Sequence, residues 1–361
     1  MRQGRRSLAE RDASDPQRPH TLIEGLQGRS TPGSEAMAAV EMSFAQAVGL
    51  LARQNSRPRE GTSIAEFNQV FPDDAACKRF LFDLRLDRLT SCPACGRPTS
   101  WSIERGRDAY ICTRCRYRIN LRAGTLFARS PRSLRDLFYA MLLCANTNAT
   151  PPVKVLARHL GLSPKGAWGF AGKLRAHLSD HELARRIGGA GRRVSVAVVR
   201  FRRLFDLTAS GKTTTPVLVL SDRFHCVAAV LPNTRPASLF KVVRQRVLPG
   251  SLLYSDDPML MGKLGIYRQR WFAVAPIDGQ FEERERCRRN GEIWTLMAKK
   301  AITHTYVRVS TQKLDLYLGE QLFRFNHRGG SIFWPMLGCL PEHPRAPARV
   351  AKLPTRPGRE S

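Results

Sequence analysis

Four cysteines in two close pairs carry the clearest chemistry in the sequence: Cys92 and Cys95 in CPACG, then Cys112 and Cys115 in CTRC, with sixteen residues between Cys95 and Cys112. A two-residue gap lets both sulfurs of a knuckle face one tetrahedral ion, and the intervening arm can bring the second knuckle round to complete a four-thiolate shell. Soft thiolates in that number favour Zn²⁺ in a closed, structural site. Trp101, Ile103, Tyr110 and Ile111 flank the polar stretch ERGRD, which predicts a short hairpin between the knuckles. So small a ribbon closes little apolar core, and metal binding, on the order of 10 kcal/mol, is its expected main source of local stability. Two disulfides or four unrelated packing thiols are the alternatives, and nothing in the sequence marks the oxidising compartment that disulfides need.

The chain that must hold this site has 361 residues, 42% of them hydrophobic, enough for two or three domains with real cores. Its 59 Lys and Arg against 30 acids give a net charge of +29, and nearly all of the excess falls between residues 42 and 339. That balance points to a polyanionic partner, nucleic acid first. The longest apolar run, LFYAMLLCA at 137–145, is far short of a bilayer span, and the N-terminus lacks the apolar stretch of a secretory signal. Neither a lipidation motif nor a basic amphipathic helix with a bulky apolar face argues for a membrane surface. The five remaining cysteines, Cys77, Cys144, Cys226, Cys287 and Cys339, lack pair spacing and read as reduced packing residues of a cytoplasmic protein.

Residues 1–41 have no sustained period and read as a disordered leader, with Met37 and Met42 as alternative starts to Met1. Ser63 and Glu66 form a capping-box pattern, and Asp73 or Asp74 can cap a second helix carrying Cys77, Phe80, Leu81 and Leu84 on one face; both helices are expected beside the ribbon. After the ribbon, AGTLF makes a turn into a helix over 134–144. Then Val155, Leu156 and Leu160 define an apolar stripe, Gly161 breaks the helix, and Ser163 with Pro164 opens the next. This predicts a helix-turn-helix whose second helix turns Ala167, Trp168, Ala171 and Leu174 inward and leaves Lys165, Lys173, Arg175 and His177 to meet phosphates or bases. An ordinary helical hairpin with solvated charges is the plainer alternative.

GGAGRR at 188–193 marks the next boundary. Three strand-like runs follow at 194–201, 215–221 and 225–231, then a helix over 236–247, strands at 251–256 and 270–275, a charged helix over 289–300 and an amphipathic helix over 312–324. Three antiparallel strands followed by crossover-linked parallel ones predict a mixed sheet of ribonuclease H-like α/β type, and the absence of GxGxxG and P-loop patterns disfavours a nucleotide-binding fold. The expected organisation is multidomain: a disordered leader (1–41), a helical N-terminal segment (42–90), the zinc ribbon (91–127), a helix-turn-helix region (128–187), the ribonuclease H-like domain (188–336) and a disordered basic tail (337–361).

With its modules in this order, the chain resembles the bacterial insertion-sequence transposases that join an N-terminal zinc ribbon to a DDE-type ribonuclease H-like domain. The matching pieces are FPDDAACKRFLFDLR, the two cysteine knuckles, AGTLF, LARHLGLSPKGAW, YSDD, NGEIW and YLGEQLFRFNHR. The resemblance implies cutting of double-stranded DNA at the terminal inverted repeats of an element and joining to target DNA, with three carboxylates holding two Mg²⁺ or Mn²⁺ ions. Hard divalent ions about 4 Å apart need such convergent oxygen ligands. The resemblance places Asp256 at the second acid and Glu292 at the third. At the first it places Ala197, with Val198 in the following position, and neither side chain can bind a metal. Asp206, about 30 Å along an extended chain from Ala197, and Asp222 and Asp257 are candidate substitutes. The late helix departs as well, with Arg286, Cys287, Arg288 and Arg289 where the family usually carries a His, and Trp294 two residues after Glu292 rather than three. Arg284, Arg286, Arg288 and Arg289 present either a solvated face or a contact for element DNA.

The expected function is therefore that of a transposase-family protein, nucleoid-associated, that binds element DNA with its catalysis impaired at Ala197. Two alternatives are an active DDE transposase using a substitute acid and a zinc-ribbon DNA-binding regulator whose α/β half serves as a dimerisation platform.

Overall fold

A computed structural model describes residues 61–86, 91–104, 108–202, 214–265, 273–274, 281–306 and 309–340. The expected leader, the alternative starts, Asp206 and the tail from residue 341 lie outside the described residues.

The first two helices, α1 (Ile64–Val70) and α2 (Asp74–Leu86), begin where their caps predict. Ser63 and Glu66 form the reciprocal capping box, and Asp73 accepts from the Ala76 amide at 2.7 Å. Helix α2 lies against the ribbon. Phe82 meets Tyr110 edge-on at 5.5 Å, Lys78 pairs with Asp108 at 2.9 Å, and Arg85 donates to the Leu121 carbonyl at 2.6 Å. Helix α1 instead enters an aromatic cluster in which Phe67 and Phe71 meet Phe138 and Phe333. The reason is chain position: Thr62 is tied by two hydrogen bonds to Ser331, so α1 is held against the far end of the sequence.

The ribbon is a three-stranded antiparallel sheet of β1 (Trp101–Ile103), β2 (Ala109–Cys112) and β3 (Arg118–Asn120). Helix α3 (Leu134–Ala145) follows, then α4 (Val153–Leu160) and α5 (Pro164–Leu183), separated by Gly161 at φ +56°. Ser163 caps α5 by accepting from the Gly166 amide, with Pro164 in its first turn.

Beyond α5 lies a five-stranded mixed sheet of β5 (Arg193–Arg202), β6 (Thr214–Ser221), β7 (Cys226–Val230), β9 (Leu252–Tyr254) and β10 (Ala273–Val274), in the order β10-β9-β5-β6-β7. The first three pair antiparallel, while β9 joins β5 and β10 joins β9 in parallel. A small parallel pair, β4 (Ile187–Gly188) with β8 (Val247–Leu248), stands apart. Helix α6 (Pro236–Arg246) leads to β8, and α7 (Pro258–Gly265) follows β9.

Strand alternation sends Val194 and Val196 to one face of the sheet, where they pack with Leu239, Val243 and Leu260. The other face carries α8 (Phe281–Lys300) and α9 (Leu314–Asn326), which bury Trp294, Ala298, Leu318 and Phe325 against Phe201, Val217 and Val219. Helix α8 starts eight residues before the expected 289, and a short π-helical stretch, Ala301–Tyr306, continues it. The last helix, α10 (Phe333–Gly338), extends past the expected boundary at 336, and Leu337 and Leu340 are buried. The first four residues of the predicted tail thus belong to the packed body.

Candidate functional site

At the ribbon the two knuckles are built alike. Cys92 and Cys112 accept from the amides of Gly96 and Arg116 through their carbonyls, at 2.7 and 3.0 Å, and donate their own amides to the carbonyls of Arg97 and Tyr117. Both turns close through a left-handed residue, Gly96 at φ +68° and Arg116 at φ +61°. The four sulfur atoms lie within 4.8 Å of one another, with Cys92 and Cys115 3.6 Å apart. Sulfurs about 2.3 Å from a shared tetrahedral ion stand roughly 3.8 Å apart, so the four thiols fit Zn²⁺ as a closed site. Among the described residues they form the one such cluster of potential ligands. The other five cysteines are unpaired in disulfides, and four of them are buried, as packing residues would be.

The second site is a cleft of about 610 Å³ lined by the middle of β5, the turn after β9 and helix α8. The register pairs Ser195 with Tyr254, the last residue of β9; Ala197 follows two residues further along β5, and Asp256 two residues past the end of β9. Both line the cleft, as do Glu292, Arg288 and Asp257. Glu292 is brought there by its neighbours on α8. Asn290 donates to the carbonyls of Asp222 and Arg223 at 3.0 and 2.9 Å, Trp294 is buried against the sheet, and Gly291 sits where a Cβ would come within 2.8 Å of the Ser221 hydroxyl oxygen. That close seat on β6 turns the next residue, Glu292, outward into the cleft.

Two of the candidate substitutes, Asp222 and Asp257, accept backbone hydrogen bonds. Asp222 is buried, and its carboxylate accepts from the amides of Phe224, His225 and Gly188. Asp257 lines the cleft, but its Oδ1 accepts from the amides of Met259 and Leu260 at the start of α7. The guanidinium of Arg288 stands among the acids: it donates to Glu292, holds Glu285 through Nε and Nη2 at 2.9 and 2.7 Å, and lies 3.8 Å from Asp256.

The helical pair corrects the expected faces of α4 and α5. Val155 is 42% and Trp168 56% exposed, because the packed faces are Leu156 with Leu160 on α4 and Ala167, Phe170, Ala171, Leu174 and Leu178 on α5. Trp168 instead carries the ammonium of Lys313 over its ring at 4.9 Å. Lys165 is exposed, as expected, and Lys173 is exposed but donates to the Ala128 carbonyl at 2.7 Å. Arg175 departs from expectation entirely. It is buried, 3.2 Å from Glu320, and its guanidinium lies over Tyr306 and Tyr317. His177 turns toward the Met336 carbonyl, and burial lowers its pKa. Helix α9 brings Glu320 and Tyr317 to Arg175, and α10 brings Met336 to His177, which is why two polar residues of α5 face an interior.

Residues not singled out from sequence join the two halves. Glu320, fully buried, accepts from Arg175, Arg324, Tyr306 and both the amide and hydroxyl of Thr150. Arg324 reaches the Cys144 and Thr147 carbonyls, and Asn326 bridges Glu182 to Cys226. Their signal was the motif YLGEQLFRFNHR, whose polar residues recur on a helix that is otherwise core.

Comparison with protein families accounts for both halves. Residues 72–118, covering α2 and both knuckles, match the transposase zinc-ribbon domain, and residues 185–326, from β4 to the end of α9, match the ISXO2-like transposase domain. By class the chain is a transposase-family protein with a zinc ribbon. It belongs to the insertion-sequence transposases whose DDE domain is of the ISXO2-like kind. A search of curated proteins finds no match. No helix among the described residues is long and apolar enough to cross a membrane.

Proposed function

We propose that this chain binds the double-stranded DNA of an insertion element, at its terminal repeats, without cutting it. The observation that carries the reading is the position of Ala197, a methyl group lining the same cleft as Asp256 and Glu292. The strand order supports a ribonuclease H-like reading of the sheet, in which the first strand, the end of the fourth and a late helix supply the acids. Two Mg²⁺ or Mn²⁺ ions require converging carboxylates. Here the first position offers no oxygen, and the other two acids share a guanidinium. The residues present do not fit a two-metal pair.

Binding rests on other surfaces. Helices α4 and α5, read as a helix-turn-helix, expose Lys154, Arg158, His159 and Lys165 along one side of the turn, and the ribbon adds exposed Arg114, Arg116 and Arg118. None of these residues lines the cleft. A mobility-shift titration with DNA carrying the repeats that flank the gene, against unrelated DNA of equal length, tests the binding half. Preferential retardation of the repeat DNA supports it, and equal affinity for both would reduce the chain to a non-specific polycation.

A further inference from the structure

We propose that Arg288 is the resident cation of the cleft: its guanidinium occupies the place between Asp256 and Glu292 that a divalent ion would need. The inference rests on the reading that the cleft does not cut DNA and goes beyond it. The loss at position 197 is then not the only barrier to metal binding, and a carboxylate restored there does not by itself recreate a metal site.

The guanidinium presents a planar fork of donors that stays charged at any ordinary pH. Two of its nitrogens engage Glu285 in a bidentate pair, which fixes the plane of the fork. The third points at Glu292 one turn further along α8, and Nε also lies 3.8 Å from Asp256, which arrives from the end of β9. Glu285 thus aims a positive charge at the two acids that remain. A dication entering between Asp256 and Glu292 would meet that charge at about 4 Å and would have to displace its hydrogen bonds. Because Arg288 is 35% exposed and Asp256 and Glu292 more so, these pairs add little to folding stability. Their effect lies in occupancy of the cleft, so Arg288 can be replaced without unfolding the chain. Arg286 and Arg289, on the same helix, are exposed, and Arg289 lies 3.6 Å from Glu285.

The test is Mn²⁺ binding, read by electron paramagnetic resonance, to the zinc-loaded full chain and to Ala197→Asp, Arg288→Gln and the double variant. Zinc content and far-ultraviolet circular dichroism report that each is folded, with Arg288→Ala as the second substitution if Gln disturbs the helix. The expected result is no saturable binding by the natural chain and binding by the double variant about tenfold or more tighter than by Ala197→Asp alone. Adding Asp256→Ala to the double variant should abolish it. Equal affinity of Ala197→Asp and the double variant would overturn the proposal, as would a double variant that binds no better than the natural chain. These readings are independent of DNA cleavage: cutting by the natural chain would overturn the proposed function, whereas the Mn²⁺ affinities judge Arg288.

Discussion

Gly319 of α9 lies against Ser179 of α5 so closely that a Cβ added to the glycine would stand 2.6 Å from the serine Cα. This approach of two helix backbones sets Glu320, the next residue, within reach of Arg175 one turn earlier on α5. A methyl group at Gly319 meets backbone rather than a movable side-chain tip, so Gly319→Ala should destabilise by about 3 kcal/mol. Glu320→Gln leaves Arg175 and Arg324 buried without their counter-charge and should cost about 3–5 kcal/mol. Denaturant unfolding at neutral pH checks both, and a Glu320→Gln variant as stable as the natural chain would show that the network contributes nothing.

Acid should destabilise the fold in two steps. Burial, where its ring packs 4.2 Å from Phe323, lowers His327 from 6.5 to about 4. Below 6.5 the unfolded chain gains a proton that the folded chain refuses until about 4, so stability falls as pH drops through that window. Burial raises the pKa of Glu182, but hydrogen bonds from His181 and Arg185 outweigh it and bring it to about 2. Its contribution is present above 4.5 and lost between 4.5 and 2. Unfolding free energy measured from pH 8 to 3 should decline from about pH 6.5 downward, and His327→Gln should flatten the part above pH 4.

Purified under reducing conditions, the chain should carry one Zn²⁺, and Cys92→Ser with Cys95→Ser should abolish it. Chelation should loosen the ribbon, exposing Tyr110 and Trp101, because metal binding supplies about 10 kcal/mol of its local stability. Gly96→Ala forces a Cβ into the left-handed region and should weaken the site by about 1–2 kcal/mol even though the space around it is open. Elemental analysis and tryptophan fluorescence read these outcomes.

On DNA, Lys165→Ala should lower affinity for all sequences alike and flatten the log–log salt slope by about 0.9, the loss of one phosphate contact. Arg175→Ala should leave that slope unchanged at temperatures where the variant stays folded, since its guanidinium faces Glu320 rather than solvent. An unchanged slope for Lys165→Ala would remove the start of α5 from the interface.

Much of this was legible in sequence because the signals were local. The cysteine spacing names the ribbon, the runs of Val and Leu at 194–199 and 217–220 name the inner strands, and Gly161, Ser163 and Pro164 mark the turn between α4 and α5. The faces of α5 were not legible. Which side of a helix is interior depends on what covers it, and α9, whose Glu320 comes 145 residues after Arg175, makes that arginine an interior residue while Trp168 stays outside. Arg288 shows the same limit: its pairs with Glu285 and Glu292 follow from helical spacing, but only the fold brings Asp256 to the same guanidinium.

The central claim is that the chain binds element DNA and does not cut it. Loss of a carboxylate ligand from a two-metal site should slow strand cleavage by roughly a thousandfold or more. The most direct measurement is single-turnover nicking of end-labelled DNA carrying the flanking repeats, with protein in excess and Mg²⁺ or Mn²⁺ present, for the natural chain and for Asp256→Ala. The account predicts that both retard the DNA and leave it intact. Nicks made by the natural chain and absent with Asp256→Ala would contradict it.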